Sequence, residues 1–440
     1  MKKLTSIAKL SAVACALIEV SFAFSVAAQT PPALPDPAAT IPADLGLMTG
    51  FPPAPNKTIR FDDGSMFRFP ATRWTFNHWR ELTPTVVVWR GAAPQSALPR
   101  AERGLDNLAF TTLTGEKMTF KEAVAKTFAD GILVLHRGHI VYEKYIGEGA
   151  PQRQHIAMSI TKSFVGTLAA MLSAEGKLDA AALVTKYVPE LKDSAYGDAT
   201  VRQVMDMTIG VRYSENYADP KAEVWDYARS GGMLPAGPDY QGPRTFYEFL
   251  VAVKKEGEHG QQFAYKTVNA EVLAWIVKRA SGMSLADLLS TRIWQKLGAE
   301  NNAYFHVDRV GSESGGGGLN TTLRDLARFG ETMRNKGTYN GQQIIPAAAV
   351  DEIEKGGDKT LFAAAGFKTL PGGSYKDMWW VLHNAHGAYM ARGIYGQSIY
   401  VDPKAEMVIV RYASHPIAPN AANDPITLPA YAAVAEELMK

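Results

Sequence analysis

The chain has 440 residues, 46% hydrophobic and 20% charged, with a formal net charge of +2; this is enough for a large core and excludes a mainly disordered protein. Lys and Arg are spread thinly, with no basic block to track a phosphate backbone, so a nucleic-acid partner is excluded and small-molecule chemistry is the default. The single cysteine, Cys15, excludes an internal disulfide.

Met1-Lys2-Lys3 is followed by an apolar stretch from about Leu10 to Val26 and by Val26-Ala27-Ala28, small residues of the kind a signal peptidase requires. Residues 1–28 therefore read as a secretory signal cleaved near Ala28, giving a periplasmic or secreted protein with no stable membrane insertion of the mature chain. An uncleaved membrane anchor and a lipoprotein attached at Cys15 are the alternatives. Glu19 interrupts the apolar stretch, and an apolar run instead of a polar tether follows Cys15. Residues 29–57, with Pro31-Pro32-Ala33-Leu34-Pro35-Asp36-Pro37, predict an extended, poorly packed tether. Residues 58–440 remain for the folded domain.

The first clear elements are the β-rich runs 131–136 and 139–145, joined through Arg137-Gly138 as a hairpin. A helix then starts at or near Ser159, shows Phe164, Leu168, Met171 and Leu172 on one face, and stops at Gly176. From about 178 to 310 the signals are mostly helical: 201–209, 245–254, 270–280 and 285–297, each but the second followed by a Gly stop. Between them 213–243 is a long segment rich in Gly, Pro and aromatic residues, of the kind that forms an ordered functional loop or lid. After Gly315-Gly316-Gly317-Gly318, a capping arrangement at Asn320-Thr321-Thr322-Leu323-Arg324-Asp325 opens a further helix. Strands follow at 388–394, 397–401 and 406–413, and a closing helix at 428–440. Strand-rich ends around a helical middle predict one lobe of sheet and helices, about 58–175 plus 315–440, and an inserted helical lobe, about 176–314.

Within this frame Ser159 and Lys162 lie three residues apart, on one helix face and roughly 5–6 Å apart at Cβ. A serine hydroxyl needs a base within reach to become a nucleophile. Lys162 serves if burial or a nearby cation keeps it partly uncharged; alternatively it stays charged and activates a tyrosine. The spacing alone is weak, since Ser6-Ile7-Ala8-Lys9 repeats it. Tyr265, just ahead of the helix at 270, either joins the proton transfer or packs at the lobe boundary with its hydroxyl in water. An acyl-transfer oxyanion asks for fixed N–H donors. Ser159 at a helix start supplies one, and Gly393-Ile394-Tyr395-Gly396-Gln397 is a source for a second, with Gly396 permitting close approach. No G-x-S-x-G elbow and no phosphate-binding G-x-x-x-x-G-K-[ST] loop occurs. The pairs His136/His139 and His383/His386 lack a zinc-site frame, and His155 reads as a polar packing residue, so no metal or organic cofactor is expected.

These residues resemble the penicillin-recognising serine hydrolases, the family of class C β-lactamases, D-alanyl-D-alanine peptidases and related esterases, and within it the amidases of 6-aminohexanoate oligomers. The strings that carry the resemblance are Met158-Ser159-Ile160-Thr161-Lys162-Ser163, Tyr187-Val188-Pro189-Glu190-Leu191, Glu215-Asn216-Tyr217-Ala218-Asp219-Pro220, Phe263-Ala264-Tyr265, and Asn269 with Val272-Leu273-Ala274-Trp275. The resemblance implies an α+β (β-lactamase-like) fold, an antiparallel sheet flanked by helices with an inserted all-helical lobe. It implies Ser159 as nucleophile, Lys162 and Tyr265 as the proton-transfer pair, and the N–H groups of Ser159 and Ile394 as oxyanion hole. Tyr217, Tyr395 and Gln397 are implied at the substrate, Tyr395-Gly396-Gln397 standing where the family has K-T-G, which weakens the case for β-lactam recognition. The implied activity is hydrolysis of a small-molecule amide or ester through an acyl-serine, without cofactor. A short-chain esterase, a D-alanyl-D-alanine peptidase-like enzyme and a non-catalytic envelope sensor are the alternatives, and oligomeric state is left open.

Overall fold

The hairpin of the sequence reading forms the edge of the main sheet: β1 (Ala129–His136) and β2 (His139–Tyr145) are closed by Arg137 and Gly138, both at positive φ. This computed structural model describes residues 34–440; the expected signal sequence, Cys15 and the Ser6 to Lys9 repeat lie outside the described residues. The other strands of the sheet are β3 (Ser374–Lys376), β4 (Trp379–Val381), β5 (Tyr389–Gly393), β6 (Gln397–Asp402) and β7 (Met407–Ala413). All seven are antiparallel, in the order β3-β4-β5-β6-β7-β1-β2. The β7 side chains are all buried, because helices cover both faces, and its sequence is accordingly a continuous apolar run broken by Arg411 alone.

One face carries α1 (Ile160–Ala174) and, later in the chain, a helix at Leu323–Arg334 capped by Thr322. The two are joined by Phe164 stacked on Phe329 at 3.9 Å between centroids. The closing helix, Asp424–Leu438, lies against the sheet through Tyr431, whose hydroxyl meets Ser398 Oγ at 2.9 Å. Between the two stretches of sheet run the helices Val201–Met205, α2 (Glu223–Ser230), Phe246–Ala252, α3 (Thr267–Ser281) and Leu285–Leu289. The first is shorter than expected, since Met207 at positive φ already leaves the helix, and α2 lies inside the expected 213–243 loop. Among the described residues no helix is long and apolar enough to cross a membrane.

A second, four-stranded sheet escaped the sequence reading, in the order Thr85–Val88, Ala303–His306, Leu319–Thr321, His155–Ile156. Its strands have two to four residues, too short for an alternation to register. One of them, Ala303–His306, falls inside the span expected to be purely helical. This sheet matters for the site: it pairs His155 with Thr321 and Ile156 with Asn320, tying the approach to Ser159 to the segment after the four glycines.

The expected tether is anchored to the domain near Thr40 and Pro42, which are buried. The Arg73 guanidinium donates to Pro37 O at 2.6 Å and Thr40 Oγ1 at 2.8 Å. A buried Arg with carbonyl and hydroxyl acceptors orders a segment whose composition alone predicts none. Residues Pro35–Lys440 form one compact unit.

Candidate active site

Ser159 caps α1 with near-helical angles, φ −68° and ψ −3°. It is preceded by Met158 at φ 48°, a conformation a bulky residue holds only at a cost of about 1–3 kcal/mol. The N–H of Ser159 has no acceptor among the described residues. One turn on, Lys162 Nζ donates to Ser159 Oγ at 2.7 Å and to Gly316 O at 2.5 Å. Lys162 is 1% exposed. Burial pushes its ammonium down from 10.5 to about 8, against the smaller opposing pull of Glu215 and Glu271.

Tyr265 lies two residues before α3, its ring held by Trp380 at 5.1 Å and Tyr375 at 5.9 Å. Lys162 Nζ stands 5.3 Å from that ring's centroid. Burial and the Glu215 carboxylate push the phenol up, with the nearby Ser159 hydroxyl opposing, so Tyr265 is protonated at neutral pH. The structure therefore brings Ser159, Lys162 and Tyr265 together.

Two carboxylates that the sequence reading left without a role support this triad. Glu215 accepts the Thr267 N–H at 2.7 Å, the Thr267 hydroxyl at 2.5 Å and the Tyr217 hydroxyl at 2.9 Å, capping α3 where an anion is favoured. Glu271, fully within α3, accepts from Tyr227 Oη at 2.6 Å, Ser314 Oγ at 2.9 Å, Gly315 N at 2.9 Å and Gly316 N at 2.8 Å. A Cβ at Gly316 would stand 2.5 Å from Thr267 Cγ2 and 2.8 Å from Glu271 Oε1, so only glycine fits. Glu271 thus fixes the Gly315–Gly316 peptide, immediately before the carbonyl that holds Lys162. Its signal was a lone carboxylate in the apolar run 270–277, since a buried charge requires dedicated partners.

Across from Ser159, β5 ends at Gly393, where a Cβ would stand 2.7 Å from Ala157 O and 3.0 Å from Met158 Cβ. This glycine, and not Gly396, makes the close approach; Gly396 lies under the Arg411 guanidinium. Ile394 then opens a tight turn, and its N–H has no backbone acceptor among the described residues. Tyr395, at φ 64°, lines the cavity and packs on Phe76 at 5.3 Å; burial pushes its phenol up to about 12. Gln397 does not reach the cavity. Its amide donates to Ile394 O at 3.1 Å and Ala413 O at 2.6 Å and accepts from Ala413 N at 2.9 Å. Its expected place at the substrate is corrected: it clasps the turn that carries Ile394. Tyr217 does line the cavity, but its hydroxyl is given to Glu215.

Two cavities meet at Ser159, Tyr217 and Ile394, one of about 100 Å³ and one of about 430 Å³. The smaller has a wall from the chain's N-terminal part, Phe67 and Trp79, which sequence reasoning also missed because residues 59–79 show no regular periodicity.

The family profile described as β-lactamase matches residues 119–432. This chain belongs to the β-lactamase family. It is 37% identical over 348 residues, 79% of this chain and 86% of the relative, to 6-aminohexanoate-dimer hydrolase of Paenarthrobacter ureafaciens. A solved Bacillus anthracis structure, provisionally assigned as a 6-aminohexanoate-dimer hydrolase, superposes with a TM-score of 0.80 at 32% identity, covering 88% of this chain and 98% of that one. The hydrolase EstCE1, described as having promiscuous acyltransferase activity, shares the fold at a TM-score of 0.57 and 15% identity, covering 72% and 98%. Both the family and the β-lactamase-like fold, a large antiparallel sheet with helices, agree with the sequence reading.

Proposed function

We propose that this β-lactamase-family serine hydrolase cleaves linear amides, or the corresponding esters, through an acyl-Ser159 intermediate. The observation that carries the reading is the 2.7 Å contact between Ser159 Oγ and a fully buried Lys162 amine. With its pKa lowered to about 8, Lys162 is neutral in roughly one molecule in eleven at pH 7. In that form it takes the Ser159 proton as Oγ adds to the carbonyl carbon. The N–H groups of Ser159 and Ile394 meet the oxyanion. As the carbon–nitrogen or carbon–oxygen bond breaks, protonated Tyr265 gives its proton to the leaving group and recovers one from Lys162. Water then repeats the addition and frees Ser159. The 6-aminohexanoate-dimer hydrolase likeness supports the amide as the bond cleaved.

Ser159→Ala is expected to abolish turnover of p-nitrophenyl esters and of a linear amide, and to abolish labelling by a fluorophosphonate, with the circular dichroism spectrum unchanged. Undiminished turnover in that variant refutes the reading. A stable acyl adduct by mass spectrometry with no product released would instead make the protein a binding or sensor module. Export is part of the same proposal and rests on residues 1–28 alone; a mature N-terminus upstream of Ala28 in cell fractions would refute it.

A further inference from the structure

The two cavities that meet at Ser159 are chemically unlike, and the proton donor tells which half of a substrate enters each. Tyr265 lines the larger cavity and not the smaller. A leaving group takes its proton from the donor beside it, so the leaving group occupies the larger cavity and the acyl chain the smaller. Beyond the reacting groups, the smaller cavity is walled mainly by Phe67, Trp79, Val224, Trp225, Met233 and Leu234, with the Tyr395 phenol as a neutral polar group beside them. Its one ionisable nitrogen among the described residues, Lys162 Nζ, is engaged by Ser159 and Gly316. Among the described residues no carboxylate lines it: Glu215 faces the larger cavity, and Glu271 is occupied by four donors. The hydroxyls of Tyr217 and Tyr227, which do line it, already donate to those two carboxylates.

We propose that the acyl half of the natural substrate is an uncharged apolar chain, alkanoyl or amine-capped, and that chains ending in a free ammonium are poor acyl donors. This rests on the acyl-Ser159 reading. An ammonium entering this cavity gives up its water and finds no carboxylate in exchange. A methyl in the same place is buried against Trp and Met side chains, which is favourable. Among linear amides the preferred substrates are then those whose N-terminal amine is blocked or absent.

p-Nitrophenyl heptanoate and p-nitrophenyl 6-aminohexanoate test this, because they share a leaving group and a length and differ by a methyl against an ammonium. With the full chain at pH 7, corrected for uncatalysed hydrolysis, kcat/KM is expected to favour the heptanoate at least tenfold. Leu234→Asp places a carboxylate in the wall and is expected to shrink that ratio at least threefold by raising the rate on the ammonium ester. Met233→Glu makes the same test should Leu234→Asp fail to fold. A ratio near one or inverted in the wild type, with Ser159→Ala inactive on both esters, overturns the inference and leaves the hydrolase reading standing. Hydrolysis of both esters by Ser159→Ala overturns the hydrolase reading and the inference with it.

Discussion

Raising the pH tests whether Lys162 is the base. A buried amine with a pKa near 8 is neutral in roughly one molecule in eleven at pH 7, half at pH 8 and nearly all above pH 9. For a neutral ester, kcat/KM reports the free enzyme. It should therefore rise about fivefold from pH 7 to 8 and level off about tenfold above its pH 7 value. Were Tyr265 the base, the rise would come far later, since its phenol is pushed above its ordinary value. The same displacement has a stability sign. The folded-state pKa lies below the unfolded one, so burying the charged amine costs about 3 kcal/mol wherever both states are protonated, below pH 8. Between pH 8 and 10 the unfolded chain binds more protons than the folded one, so stability rises with pH. Relative to Lys162→Met, the wild type should recover about 2 kcal/mol by pH 10. The assays are a pH–rate profile at constant ionic strength and urea unfolding of both proteins at pH 7 and 10. A flat profile between pH 6.5 and 9, or no change in the stability difference, would refute the reasoning.

Glu215 is the largest charge holding the Lys162 pKa up, so Glu215→Gln should move the inflection of the same pH–rate profile below pH 8; an unmoved inflection would mean that its charge does not reach the amine. Gly393→Ala forces a Cβ to within 2.7 Å of Ala157 O and should push the Ile394 N–H off line, lowering kcat on the order of 10²–10³-fold with the far-UV spectrum intact; a fully active variant would show that β5 yields without moving Ile394. Asp130 accepts from buried Arg73 at 3.4 Å and faces His155 at 3.2 Å, so Asp130→Asn should cost about 3–5 kcal/mol in urea unfolding by leaving the buried guanidinium without a counter-charge. A cost below 1 kcal/mol there would show that the neutral acceptors Pro37 O and Thr40 Oγ1 suffice for the Arg73 charge.

What was legible in the sequence follows from how locally each feature is encoded. The hairpin at 131–145, the long helices and the three late strands of the sheet carry their own periodicity and stop residues, and their order already separates the two sheet-bearing ends from the helical middle. Ser159 and Lys162 are one helical turn apart, so their contact needs no tertiary information. Tyr265 is different: its place beside Lys162 depends on α3 packing against α1, so its position ahead of a helix made it a candidate but left a packing role open, and family likeness decided between the two. The remaining parts of the site are long-range throughout. Gln397 reads as a polar residue on a strand near the substrate, yet cross-strand register turns it toward Ala413 and Ile394. Glu271 reads as one charge on a helix until the Gly315-Gly316 loop is folded onto it by a four-stranded sheet too short to detect.

That last arrangement explains why the four glycines matter. Lys162 is useful as a base only if its amine is both dry and held against Ser159 Oγ, and a dry amine needs an acceptor that adds no full charge, because a carboxylate in contact would raise its pKa back toward the ordinary range. The Gly316 carbonyl meets that condition at 2.5 Å. Glu271 supplies the rigidity one bond further out, by taking the Gly315 and Gly316 N–H groups, so its charge is felt by Lys162 only at a distance. A side chain at residue 316 would collide with Thr267 and Glu271 and break this relay, turning a neutralisable lysine into one that is merely buried.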